Sequence, residues 1–267
     1  MTHVDETYLP LEGGRIFVKT WTPEAPSSKT PVLMLHDSLG CVDLWRGFPE
    51  ALCERLGRKI IAYDRLGFGR SDARTGRPSL RFVEEEAEEV FPRLHVALSL
   101  EGFALLGHSV GGGMASNIAA RHPEACEALV TVSAQVFVEE RTVAGIERAK
   151  RQFEDPAQFA RLSRYHGDKA PWVLDAWTGT WLSPAFADWS LFEVLPQVTC
   201  PVLAVHGESD EYGSHRFPES IAERASGPAS ALILENCGHI PHREQPQALL
   251  DAVGAFLADL YGREQKA

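Results

Sequence analysis

The chain has 267 residues, 44% of them hydrophobic and 24% charged, with a net charge of −11. That length supports one large α/β domain with an insertion and a sizeable core. The acidic balance argues against nucleic acid and anionic membrane surfaces as partners. It leaves a small-molecule substrate, with a homo-oligomer still open.

The five cysteines, Cys41, Cys53, Cys126, Cys200 and Cys237, show neither metal-ligand spacing nor a disulfide framework. Met1-Thr2-His3-Val4-Asp5-Glu6 lacks a basic segment followed by an apolar run, and no apolar run approaches the ~18 residues of a membrane span. The expectation is a soluble, cytoplasmic protein.

In chain order, residues 7–20 read as a hairpin turning at Glu12-Gly13-Gly14-Arg15, and a Pro/Ser-rich loop covers 23–30. Apolar strand runs follow at 32–35, 59–63, 103–106 and 128–133, with helices near 44–56, 80–99 and 112–121. This alternation predicts a mainly parallel sheet covered on both faces. Pro92 should kink or split the 80–99 helix. Glu84-Glu85-Glu86 and Glu88-Glu89 read as the solvated face of that helix.

From 138 to 195 the strand runs stop. Three helices are expected, near 139–153, 156–164 and 170–181, before strand–helix alternation resumes at Pro201. The division is therefore a core of residues 1–137 and 196–267 with a helical insertion at 138–195. Four of the six tryptophans lie in the insertion: Trp172, Trp177, Trp181 and Trp189. So short a segment has little interior in which to hide four indoles. Trp172, Trp177 and Trp181 are the candidates for lining a substrate pocket, which should be largely apolar or aromatic. Arg164-Tyr165-His166-Gly167-Asp168-Lys169 could read a substrate carboxylate or hydroxyl, or be an exposed inter-helix loop.

The chemistry is concentrated at strand ends. Gly107-His108-Ser109-Val110-Gly111 follows the 103–106 strand and precedes a helix. A serine on so sharp a turn sits in a sparsely populated backbone conformation, which flanking glycines make room for. A serine hydroxyl is a poor nucleophile without a base in reach and a group to orient that base. His239 lies just beyond the strand-like Ser230-Ala231-Leu232-Ile233-Leu234, and Asp210 lies beyond Pro201-Val202-Leu203-Ala204-Val205-His206-Gly207. Glu208 or Glu211 could supply the acid instead. His206 and His242 read as structural. Asp64 is expected to hold the loop after it by accepting backbone N–H bonds.

Together these segments resemble the α/β-hydrolase superfamily over residues 5–260. The marks are Tyr63-Asp64-Arg65-Leu66-Gly67-Phe68-Gly69-Arg70-Ser71, the G-x-S-x-G elbow at Ser109, Gly207-Glu208-Ser209-Asp210 and Gly238-His239-Ile240-Pro241-His242. The resemblance implies an eight-stranded, mostly parallel sheet with a helical lid, and a triad of Ser109, His239 and Asp210 in the family's chain order. It implies backbone N–H groups of Ser38 and Val110 as an oxyanion hole, and a reaction needing no metal or organic cofactor. Relatives often carry glycine where this chain has Asp37. A carboxylate there would oppose an oxyanion, so Asp37 is expected to face away and brace its loop. The segment Ser38-Leu39-Gly40 is similar to the matching loop of 3-oxoadipate enol-lactonases.

The activity this implies is hydrolysis of a small, largely apolar carboxylic ester or lactone through an acyl-enzyme. The alternatives are a carbon–carbon bond hydrolase or enol-lactonase acting on an aromatic-degradation intermediate, and a ligand-binding receptor on the same fold. His108 before the serine leans against the meta-cleavage-product hydrolases, which often carry asparagine there.

Overall fold

The structure is a computed structural model and describes residues 2–27 and 30–264. Ser28 and Lys29, within the expected 23–30 loop, lie outside the described residues. Thr2–Leu11 (β1) and Gly14–Pro23 (β2) form the expected hairpin, longer at both ends than the sequence pattern suggests. The next five strands are Val32–Leu35 (β3), Ile60–Tyr63 (β4), Phe103–His108 (β5), Cys126–Val132 (β6) and Val202–Gly207 (β7). Apart from Glu127 every residue in them is buried, which is why they read as continuous apolar runs rather than as alternating ones. Ala229–Leu234 (β8) closes an eight-stranded sheet of order β1-β2-β4-β3-β5-β6-β7-β8. From β4 to β8 every neighbouring pair is parallel, and β2 runs antiparallel against β4.

Side chains alternate between the two faces, as strand geometry requires. Leu33, Leu35, Ile61, Tyr63 and Leu105 join one core, and Val32, Met34, Ile60, Ala62 and Leu106 the other. Helices cover both. Phe48–Leu56 (α1) ends on Gly57, whose φ of 59° suits a left-handed cap. The expected 80–99 helix is split into Phe82–Glu85 (α2), a wide π-type turn at Glu86–Val90, and Phe91–Ala97 (α3). Pro92 has no N–H and its ring crowds the carbonyl four residues back, so the turn before it opens. Val110–Arg121 (α4) starts directly after Ser109.

Between β6 and β7 the chain forms Glu140–Gln152 (α5), Pro156–His166 (α6) and Ala170–Trp181 (α7). The chain ends with Arg216–Arg224 (α8), Pro241–Glu244 (α9) and Pro246–Glu264 (α10). Among the described residues no helix is long and apolar enough to cross a membrane.

The 164–169 run does structural work that its polarity alone did not reveal. His166 is buried; its Nδ1 accepts from Gly69 N–H at 2.9 Å and its Nε2–H donates to Leu39 O at 3.0 Å. Lys169 Nζ donates to Gly69 O at 2.7 Å and to Ser71 O. These bonds pin the inserted helices to the loops that follow β3 and β4. Asp64 ties the same loops together: Oδ1 accepts from Val42 N–H at 2.6 Å and Oδ2 from Arg70 N–H at 2.7 Å. Burial raises its carboxyl to about 6 against the pull of those two donors.

Strand order reverses at β3 and β5: from β3 the chain steps to β4 on one side, then to β5 on the other. Open α/β sheets bind ligands at such a switch point, outside the carboxyl ends of the strands. Leu35 pairs with Gly107 there, which sets the loop after β3 beside Ser109.

Candidate functional site

Ser109 has φ 56° and ψ −125°, a conformation that non-glycine residues rarely adopt. Its N–H donates to Val132 O at 2.8 Å and its carbonyl accepts from Gly112 N–H at 2.9 Å, so both neighbours hold the turn. The flanking glycines are steric necessities. A Cβ at Gly107 would lie 2.2 Å from Gly111 O, and one at Gly111 would lie 2.3 Å from Leu35 O.

His239 comes from the loop between β8 and α9, and Asp210 from the turn after β7. The structure brings both to Ser109. His239 Nδ1 lies 2.8 Å from Asp210 Oδ2 and 3.0 Å from Oδ1, and Nε2 lies 3.0 Å from Ser109 Oγ. An ionised carboxylate only accepts, so Nδ1 carries the proton and Nε2 is left to accept from the serine. Asp210 is further fixed by Tyr212 N–H at 2.8 Å. Burial alone would lower the His239 imidazole, but the charge and hydrogen bond of Asp210, with Glu211 and Asp37 behind, raise it above its ordinary value. Burial pulls Asp210 the other way, and His239 and His206 hold it below the ordinary carboxylate value. Glu208 and Glu211, the alternative acids, do not contact His239: Glu208 accepts from Asn236 N–H instead.

The loop after β3 is clamped through a single carbonyl. Asp37 O accepts from Arg65 Nη2 at 2.7 Å, His36 Nδ1 at 2.8 Å and Gly40 N–H at 3.2 Å. In a trans peptide the N–H points opposite to the C=O. Fixing the Asp37 carbonyl therefore turns the Ser38 N–H away from Arg65. Ser38 lines the same cavity as Ser109 and His239. Among the described residues neither Ser38 N–H nor Val110 N–H has an acceptor. Two unspent donors thus stand on the two loops that meet at Ser109.

The expectation that Asp37 faces away needs correcting. Its Oδ1 lies 3.6 Å from His108 Nδ1, and the residue lines the serine cavity. Burial would raise the carboxyl, but the nearby imidazole of His108, with those of His36 and His239, holds it well below the usual range. His108 Nε2–H in turn donates to His239 O at 2.8 Å. These contacts join the β3 loop, the serine turn and the histidine loop.

Gln135, just beyond β6, is a contact the sequence analysis missed. It is 5% exposed, and its Oε1 lies 3.1 Å from Ser109 Oγ. A hydroxyl has one proton, so in this orientation Gln135 and His239 contest it. A half-turn of the amide would place its NH2 against Oγ and leave the proton to His239. A polar residue three positions beyond the end of β6 was the available signal.

The cavity holding Ser109 has a volume of about 610 Å³. Trp177 and Trp181 line it, and Trp181 is only 3% exposed with no acceptor for its indole N–H. Trp172 does not line it. Its ring packs on Gly67 and Phe68, its Nε1 donates to Gly76 O at 2.8 Å, and it faces a neighbouring cavity of about 660 Å³. Trp189 stacks on Phe186 at 14° between ring planes. Tyr212, which was not foreseen, meets the His239 ring edge-on at 4.8 Å.

Serine, imidazole and carboxylate in one hydrogen-bonded line at a sheet switch point define a hydrolase-type fold and site. A sequence profile of the alpha/beta hydrolase fold matches residues 30–174, and the chain belongs to that family. Mouse 1-acylglycerol-3-phosphate O-acyltransferase ABHD5 is 34% identical over 147 residues, covering 55% of this chain and 41% of that protein. The match thus spans well under half of that relative's length. Non-heme chloroperoxidase of Streptomyces lividans is 26% identical over 276 aligned positions, 91% of this chain and 93% of that protein. A solved serine hydrolase from the polyaromatic hydrocarbon-degrading bacterium Cycloclasticus zankles superposes with a TM-score of 0.80, covering 97% of this chain and 99% of that one. At 17% identity, that likeness speaks to the fold alone.

Proposed function

We propose that the protein is a serine hydrolase that cleaves a small carboxylic ester or lactone through an acyl-enzyme. The observation that carries this reading is the unbroken line from Asp210 through His239 to Ser109, with contacts of 2.8 and 3.0 Å. His239 Nε2 takes the proton as Ser109 Oγ attacks the carbonyl carbon. The oxyanion forms against the free N–H groups of Ser38 and Val110. His239 then protonates the leaving alcohol oxygen, and the acyl group stays on Ser109. Water adds to the acyl carbon, gives its proton to His239, and the acid leaves as the proton returns to Ser109. Asp210 stays ionised throughout, holding the imidazole tautomer and stabilising its cation. Residues 138–195 form the lid over this cleft, with Trp177 and Trp181 facing the substrate.

A fluorophosphonate probe tests the reading directly. Stoichiometric labelling of the wild type, mapped to Ser109 and lost in Ser109→Ala, is the expected result. No labelling, together with tight binding of a ligand that is never hydrolysed, would instead identify a receptor on the same fold.

A further inference from the structure

Arg46, Arg161, Arg164 and Arg243 all line the cavity that holds Ser109. They arrive from three separate places: the end of the short helix Val42–Trp45, one face of α6, and α9 just beyond His239. Arg161 and Arg164 are three residues apart, so they share that face of α6. Several arginines elsewhere on this chain are tied to carboxylates, Arg15 to Asp72, Arg70 to Glu6 and Asp43, Arg77 to Asp175, Arg81 to Glu88 and Arg93 to Glu12, while Arg216 and Arg224 lie over the rings of Phe137 and Phe192. Among the described residues none of the four at the cavity has a carboxylate partner. The one polar contact they make is Arg161 Nη1 to Gln158 Oε1 at 3.3 Å.

Two other carboxylates share the cavity, Asp37 and Glu211. The four cations thus outnumber the two carboxylates, one of which, Asp37, lies 3.6 Å from His108 Nδ1. This happens on a chain of net charge −11, whose overall field repels an anion. All four are exposed, so water solvates them in the free protein, and an anion entering the cavity meets their joint positive charge. The guanidinium fork matches a carboxylate or phosphate in two parallel hydrogen bonds.

We propose that the ester this site cleaves carries an anionic group, a carboxylate or a phosphate, at the end remote from its scissile carbonyl, held by Arg161 and Arg164. This rests on the serine-hydrolase reading above. Arg46 and Arg243 flank the approach and draw the anion in. The apolar wall, with Leu39, Ile146 and Leu162 beside the tryptophans, takes the chain between the two ends. Such a substrate is apolar in the middle, as the sequence led one to expect, and charged at one end.

The test uses three p-nitrophenyl esters of matched length whose acyl chains end in methyl, carboxylate or phosphate. The expected wild-type result is a kcat/KM for one charged ester at least about tenfold above the neutral one, shrinking as NaCl rises from 0.05 to 0.5 M. Which charged ester leads distinguishes carboxylate from phosphate. In Arg161→Gln/Arg164→Gln the charged-to-neutral ratio should fall toward one. In Arg77→Gln, a control outside the cavity, the ratio should stay where it was. A wild type that prefers the neutral ester overturns the proposal while leaving the serine-hydrolase reading intact. A charged preference that survives the double substitution overturns the role of these two arginines. Absence of turnover of all three esters together with absence of fluorophosphonate labelling sinks the underlying reading instead.

Discussion

Two cavities of nearly equal size, about 660 and 610 Å³, lie side by side and share Ser38, Trp177 and Trp181 in their walls. Much of the polar lining of the larger is paired. Arg93 pairs with Glu12 at 2.8 Å, Arg74 with Glu85 at 3.8 Å, and Tyr63 donates to Glu86 at 2.6 Å. Only the smaller holds Ser109 and His239, and with them Arg46, Arg164 and Arg243, whose guanidinium groups have no partner among the described residues. Volume does not separate the two cavities; the serine–histidine pair and the unpaired arginines do.

The sharpest way to break this contrast is at Ser109. Ser109→Ala should lower kcat for an ester on the order of 10⁶-fold, with thermal stability retained, because alanine fits the same turn. Residual turnover above a hundredth of wild type, from protein free of contaminating hydrolases, would move the chemistry elsewhere. Asp210→Asn should cost about 10⁴-fold, since an amide also presents a donor and no longer selects the Nδ1–H tautomer. The pH profile carries a sign. The base must be neutral to take the serine proton, and Asp210 raises the His239 imidazole above its ordinary 6.5. In the wild type kcat/KM should therefore rise with pH through a midpoint above 6.5, and a midpoint below that would contradict the observed pairing.

Much of this site was legible in the sequence, because its parts lie on loops just beyond strands. The buried β5 and β7 show as apolar runs, and the segments that follow β5, β7 and β8 carry motifs that resemble those of the family. Ser109, Asp210 and His239 could be found in this way, as could the alternation that sets the sheet. Gln135 was missed because its reach to Ser109 depends on register. Gly107 pairs with Thr131 and His108 with Val132, and Ser133 then turns at φ 50°. The Asp37–His108 contact depends likewise on β3 lying beside β5, a pairing of strands nearly seventy residues apart. Trp172 was legible and misread. In a helix of 3.6 residues per turn, Trp177 and Trp181 are four apart and share a face. Trp172 stands five before Trp177, about 140° round the helix, and so turns to the other cavity.

Arg65→Met tests whether the clamp on the Asp37 carbonyl matters. The Ser38 peptide would lose the bond from Arg65 Nη2 but keep those from His36 and Gly40. A loosened oxyanion donor should lower kcat about tenfold to a hundredfold, short of outright loss of the donor, while KM changes little. An effect confined to KM would remove the argument. Gln135→Leu should act more weakly. It deletes one neutral hydrogen bond to Ser109 Oγ at 3.1 Å, worth about 1 kcal/mol or several-fold in rate. The direction is informative. A fall in kcat means the amide was donating to the serine oxygen, whereas a rise means that its Oε1 was drawing the proton away from His239.

The smallest effect on turnover should come from the larger cavity. Trp172→Phe keeps an aromatic ring against Gly67 and Phe68 but removes the indole bond to Gly76 O. A neutral hydrogen bond of this kind contributes about 1 kcal/mol to stability, so Tm should fall by a few degrees for a chain of this length. Turnover should stay within about twofold of wild type, because no group facing Ser109 is altered. Trp177→Phe, one face of the helix away, makes the same reduction in ring size within the serine cavity and should raise KM several-fold. If the two substitutions instead change turnover equally, the cavities act as one chamber, and the division between them loses its meaning.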